Sequence, residues 1–91
     1  MTIAMNRVEI YTTAICPYCV SAKHFLKQKG LGYEEVRVDT DPARREEMLT
    51  RSGGRRSVPQ IFINDTHVGG FDDLVAADRA GHLRELMDEA K

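Results

Sequence analysis

The chain reads as an α/β protein, with a four-stranded mixed sheet flanked by helices on both faces. Three observations predict this. A strand, a helix and a second strand follow one another within residues 7–38, and so short a unit implies a right-handed crossover with parallel pairing. Two later strands meet at Asn64-Asp65, a pair suited to the tight turn of an antiparallel hairpin. Glycine pairs at Gly53-Gly54 and Gly69-Gly70 break the chain between these units.

The first strand runs from Arg7 to Tyr11, where Val8 and Ile10 are β-branched and Tyr11 suits a pleated surface. Thr12 to Ile15 form a loop. A helix follows to Gln28, with Pro17 at its first position, where a missing N–H is harmless. Ala22, Phe25 and Leu26 face the core, while Lys23, Lys27 and Gln28 face outward. His24 shares that polar face and reads as a solvated helix residue, and Gly30 ends the helix. Tyr33 to Val38 is the second strand. Asp41 caps a second helix that opens on Pro42, turns Met48 and Leu49 inward, and stops at Gly53-Gly54. Gln60 to Ile63 and Thr66 to Val68 are the hairpin strands. A helix from about Asp72 to Arg79 follows, and after Gly81 a last amphipathic turn or two carries Leu83, Leu86 and Met87.

Cys16-Pro17-Tyr18-Cys19 holds both cysteines of the chain and sits where the first strand hands over to the first helix. With Pro17 at the first helical position, Cys16 is the N-cap, beside unpaired backbone N–H groups and the positive end of the helix dipole. A thiolate is favoured there, and the thiolate is the reactive form of cysteine. Cys19 lies one turn further in and is less exposed, placed to resolve a mixed disulfide. Other uses of such a pair fit less well. Zinc needs two more ligands, and the chain has no third cysteine, while His24, His67 and His82 are not paired at ligand spacing. A structural disulfide closing so short a loop constrains the unfolded chain little. Two packed core thiols sit badly with the intervening proline.

At 91 residues the expectation is one domain spanning 1–91. A formal net charge of -1 gives no basic field for nucleic acid or a membrane surface. No apolar run is long enough to span a bilayer. Residues 1–6 show no basic region followed by an apolar core, so no secretory leader is expected. Two cysteines in one motif suit a reducing cytoplasm.

Three blocks together resemble the dithiol glutaredoxins: Cys16-Pro17-Tyr18-Cys19 after a strand, Ser57-Val58-Pro59 before a strand, and Gly69-Gly70-Phe71-Asp72-Asp73 before a helix. The resemblance covers Val8 to about Leu86. It implies a thioredoxin fold with strand order 2-1-3-4, strand 3 antiparallel to strand 1, and the first and third helices on one face. It also implies glutathione-dependent reduction of protein disulfides and protein–glutathione mixed disulfides. Cys16 and Cys19 would form the redox-active disulfide. Pro59 would be cis and face the cysteines, leaving the Val58 backbone as an edge for the extended tripeptide. Gly70, Phe71, Asp72 and Asp73 would hold the γ-glutamyl end, with its carboxylate on the Phe71 and Asp72 N–H groups and its ammonium on an aspartate. Tyr18 would cover the ligand, Ser57 would line it, and Arg56 would meet the glycyl carboxylate, with Arg55 left as surface. The expected partners are glutathione, as cosubstrate, and disulfide-containing or glutathionylated proteins. No metal or organic cofactor is needed, and the protein is expected to be a cytoplasmic monomer.

The chain departs from that family at three places. Thr12, Thr13 and Ala14 stand where a lysine is common, removing one cation from the expected glycyl end. Phe71 stands where a small residue or cysteine is common, and Ser57 replaces threonine. Two alternative functions fit the same blocks: an iron–sulfur binding module using Cys16 and glutathione, disfavoured by the stiffening Pro17, and an electron donor reduced by a thioredoxin reductase, which would not need the Gly69 to Asp73 stretch.

Overall fold

The structure, a computed structural model, describes residues 7–88. The leader expectation for residues 1–6 lies outside these, as does the side chain of Met87. The order of elements is β1 (Val8–Thr12), α1 (Pro17–Gln28), β2 (Glu34–Arg37), α2 (Pro42–Arg51), β3 (Gln60–Ile63), β4 (Thr66–Gly69), α3 (Phe71–Arg79) and α4 (His82–Asp88). The sheet order is β2-β1-β3-β4, with β1 parallel to β2 and antiparallel to β3. This is the order and sense that the sequence implied. Strand ends differ by a residue or two, because Thr12 stays in register with Arg37 while Tyr33 and Val38 flank the β2 ladder.

Two apolar layers hold the sheet. On one face Ala22 and Leu26 of α1, Leu74 of α3 and Leu83 of α4 pack on Val8, Ile10, Ile61 and Ile63. Sequence alternation therefore places α1 and α3 on a common face, as expected. On the other face Met48 of α2 packs with Tyr11, Val36, Val38 and Phe62. The hairpin turn takes Asn64 and Asp65 through φ of 49° and 69°, a conformation that asparagine and aspartate tolerate better than most residues.

Beneath β1 an ionic cluster fastens α2 to the sheet. Arg51 donates to Glu9 at 3.0 Å and to the Tyr11 hydroxyl at 2.7 Å, and its guanidinium lies 4.1 Å from the Phe62 ring centroid. The Tyr11 hydroxyl in turn donates to Glu47. Burial first, and then this bond to Glu47, raise the Tyr11 pKa, while the same bond heads the causes that lower that of Glu47. Glu9 is only 5% exposed and also accepts from Arg7 at 3.3 Å, so Arg51 is one of two cations on a buried carboxylate. Arg51→Met should destabilise the protein by about 3 kcal/mol, near the low end for breaking a buried pair, because Arg51 keeps some solvent contact. Adding Glu9→Gln should recover part of that loss. Chemical denaturation of the single and double variants measures both, and a double variant no more stable than Arg51→Met contradicts the assigned role of the Glu9 charge.

Candidate active site

Cys16 caps α1 with its own sulfur. Its backbone is extended, at φ -152° and ψ 100°, and its Sγ accepts from the Cys19 N–H at 3.1 Å. The Val20 N–H closes the first turn on the Cys16 carbonyl at 3.1 Å. Pro17 needs no partner at this position. The helix therefore delivers an N–H to the sulfur, as expected of an N-cap. The Cys16 thiol also reaches the Val58 carbonyl, at 3.8 Å.

Cys19 differs in its surroundings. It is 1% exposed, whereas Cys16 is half-buried, and both are free thiols. Burial first, and then a hydrogen bond with Cys16, push its pKa up to about 12. At neutral pH Cys19 is a protonated thiol beneath a reachable sulfur. The loop before the motif is clamped from β2. Asp39 accepts from the Ala14 N–H at 3.0 Å and is itself held by two Arg37 bonds of 2.8 and 2.7 Å. The Arg37 guanidinium, with the Ala14 N–H adding to it, holds the Asp39 carboxyl far below the usual carboxylate range.

A groove of about 260 Å³ lies beside Cys16, lined by Tyr18, Arg55, Ser57, Val58, Pro59, Gly70, Phe71, Asp72 and Asp73. Eight of these are residues singled out from the sequence. The Val58-Pro59 peptide is cis. Tyr18 is 64% exposed and forms one wall. The far end is the start of α3, which begins one residue earlier than expected. Gly70 is the N-cap, and its N–H donates to the Asp73 carboxylate at 2.9 Å. Gly69 makes this possible. Its φ is +121°, and a Cβ there would lie 2.3 Å from an Asp73 carboxylate oxygen. The Leu74 N–H closes the first turn on Gly70 at 3.0 Å. The N–H groups of Phe71 and Asp72 therefore lie in the first turn, where no intrahelical carbonyl is available.

One expected residue is displaced. Arg56 does not line the groove, and its neighbour Arg55 does. The reason lies at the end of α2. Ser52, buried at the helix C-cap, accepts from the Arg55 N–H at 3.1 Å and donates to its carbonyl at 3.2 Å. This fixes Arg55 with its guanidinium 3.4 Å from Asp73. Two adjacent arginines after a Gly-Gly pair carry no sequence signal for which one turns inward.

Sequence reasoning also missed Gln60. Fully buried on β3, it donates to the Ser57 carbonyl at 2.9 Å and to the Ser57 hydroxyl at 3.3 Å. Its amide oxygen pairs with His67 Nε2 at 2.6 Å, so that nitrogen carries a proton. His67 stacks on Phe62, and its pKa is lowered, chiefly by burial. The chain His67–Gln60–Ser57 ties the groove wall to the hairpin. A polar residue inside an otherwise apolar strand was the available signal. Among the described residues no cluster of three or more His, Cys, Asp or Glu side chains is placed to hold a metal ion. Nor is any helix among them long and apolar enough to cross a membrane.

An N-capping cysteine with a buried partner one turn on, beside a cis-proline groove and on this sheet order, defines a dithiol protein of the thioredoxin fold. The glutaredoxin family profile matches residues 8–68. Glutaredoxin 3 of Escherichia coli is 52% identical over 83 residues, covering 91% of this chain and 99% of that protein. A glutaredoxin of Pseudomonas aeruginosa is also 52% identical, covering 91% of this chain and 98% of the relative. Among solved structures, the glutaredoxin of Brucella melitensis superposes with a TM-score of 0.80 at 45% identity, over 97% of this chain and 95% of that one. A buckwheat glutaredoxin–glutathione complex superposes at 0.81 with 28% identity, over 93% of this chain and 79% of that one. The chain belongs to the glutaredoxin family.

The thiols should differ sharply in reactivity. Iodoacetamide at neutral pH should label one thiol per chain, and peptide mapping should place it on Cys16. Cys19 should react only in strongly alkaline solution or after unfolding. Comparable labelling of both at neutral pH contradicts the assigned burial and pKa of Cys19.

Proposed function

We propose that this protein is a glutathione-dependent thiol–disulfide oxidoreductase that reduces protein–glutathione mixed disulfides and protein disulfides. The observation that carries the reading is the position of the Cys16 sulfur. It lies 3.8 Å from the Val58 carbonyl, at the edge of a groove that ends on the first-turn N–H groups of α3. An extended tripeptide laid along Val58 brings its own sulfur to Cys16 and its γ-glutamyl carboxylate to the Phe71 and Asp72 N–H groups. Its ammonium falls to Asp72 or Asp73. The buckwheat relative of the same fold was solved as a complex with glutathione, which supports glutathione as the ligand.

In the first step the Cys16 thiolate attacks the glutathione sulfur of a glutathionylated protein. The new Cys16–glutathione bond forms as the old disulfide breaks, and the protein leaves as a thiolate that takes up a proton. A second glutathione thiolate attacks the glutathione sulfur of that adduct, releasing glutathione disulfide and the Cys16 thiolate. With a protein disulfide, Cys16 is left bonded to the protein. Cys19 then loses its proton and attacks Cys16 Sγ, closing Cys16–Cys19 and expelling the reduced protein. Two of the causes that raise the Cys19 pKa, its hydrogen bond with Cys16 and the charge on Cys16, disappear once Cys16 is in a mixed disulfide. Resolution is thereby eased at the moment it is needed. Two molecules of glutathione reduce the closed disulfide.

No metal or organic cofactor enters this scheme. The protein acts as a monomer in a reducing cytoplasm, where both thiols stay free between turnovers. Turnover of a glutathionylated peptide, with glutathione and its recycling reductase, tests the reading. Cys16→Ser should abolish it, since a serine hydroxyl is not ionised at neutral pH. Cys19→Ser should retain deglutathionylation yet lose most protein-disulfide reduction. The reverse ranking would sink the division of roles. Efficient reduction by thioredoxin reductase without glutathione would replace the cosubstrate.

A further inference from the structure

Arg55 and Asp73 face each other across the end of the groove, with Nη1 and Oδ2 at 3.4 Å and each side chain about half exposed, at 46% and 49%. Both line the groove, and the same Asp73 oxygen takes the Gly70 N–H. Arg55 is held there by its two Ser52 bonds, whereas Arg56 has no place in the groove wall. A paired guanidinium and carboxylate at one end of a groove match a ligand group carrying the same two charges in reverse. An α-amino acid end is such a group, with its carboxylate turned to the cation and its ammonium to the anion.

Resting on the glutathione reading above, we propose that Arg55 is a specificity residue for the zwitterionic γ-glutamyl end, opening its pair with Asp73 to take the ligand α-carboxylate while Asp73 takes the ammonium. The guanidinium thereby joins the Phe71 and Asp72 N–H groups on one carboxylate. A free Arg55–Asp73 pair is half-solvated and individually weak, so exchanging it for two charge-assisted contacts is favourable. A ligand with only one of the two charges leaves one member of the pair unmatched. This moves the cationic contribution from the glycyl end, where Arg56 was expected, to the opposite end of the tripeptide.

The test crosses variants with ligands. Apparent KM is measured for glutathione and for γ-aminobutyryl-cysteinylglycine, which lacks only the α-carboxylate, using wild type, Arg55→Gln and Arg56→Gln at fixed ionic strength. For glutathione, Arg55→Gln should raise KM by about tenfold with kcat little changed, the effect expected of one charge-assisted contact. For the decarboxylated analogue the same substitution should change KM by less than about twofold, because the group Arg55 recognises is already gone. Arg56→Gln should leave the glutathione KM within about twofold, the ordinary range for surface changes. An equal rise for both ligands in Arg55→Gln would assign Arg55 a purely structural role in the loop and overturn the proposal. So would a larger rise in Arg56→Gln than in Arg55→Gln. Glutathione turnover in the wild type with an unchanged KM in Arg55→Gln overturns this inference alone. No glutathione-dependent turnover in the wild type overturns the functional reading and this inference together.

Discussion

A sulfur atom closes the first turn of α1, accepting the Cys19 N–H at 3.1 Å where most helices use an oxygen. Much of the site depends on this cap. Cys16 must be extended to make it, and the same sulfur then comes within 3.8 Å of the Val58 carbonyl. Pro17 can follow, since its missing N–H gives up nothing at that position. Cys19 is then one turn along the same helix, deep enough to be fully buried and still in reach of the first sulfur. One local constraint thus yields two thiols with opposite environments, a separation that two-step disulfide exchange requires.

The sheet carries this cap to the groove. Antiparallel pairing of β1 with β3, Tyr11 opposite Gln60, sets the chain entering β3 beside the chain leaving β1. Ser57, Val58 and Pro59 therefore arrive next to Cys16. Gln60 locks that approach by bonding Ser57 from within the core, and His67 orients the Gln60 amide. The hairpin then returns β4 to Gly69, whose left-handed turn sets α3 against the same groove. On the opposite face, Arg51 binds α2 to β1 through Glu9 and Tyr11. One residue later Ser52 fixes the course of the Arg55 backbone. The ionic cluster beneath the sheet is thus coupled to the groove wall through consecutive residues.

Much of this was legible in the sequence, for identifiable reasons. Cys16-Pro17 and Asp41-Pro42 mark helix starts because cap and proline chemistry is local. The core positions followed from periodicity, with Ala22, Leu26 and Met48 buried as read. The three blocks of the groove were named because each is a contiguous stretch. What escaped was non-local. Whether Arg55 or Arg56 faces the groove is decided by Ser52, and by Asp73 eighteen positions further on. α3 starts at Phe71 rather than at Asp72, because Asp73 reaches back to the Gly70 N–H, a contact that depends on the φ of Gly69. Gln60 looked like an ordinary strand residue until its partners on both sides were placed.

The central claim is that a glutathionyl group on Cys16 lies along Val58 and ends on the first turn of α3. Backbone amide shifts of Cys19→Ser, recorded before and after forming its Cys16–glutathione mixed disulfide, test this most directly. The account predicts large shifts at Val58, Phe71 and Asp72, on elements far from Cys16 in sequence, together with those around the cap. Changes confined to the loop and first turn of α1, with Val58 and the start of α3 unmoved, would contradict it.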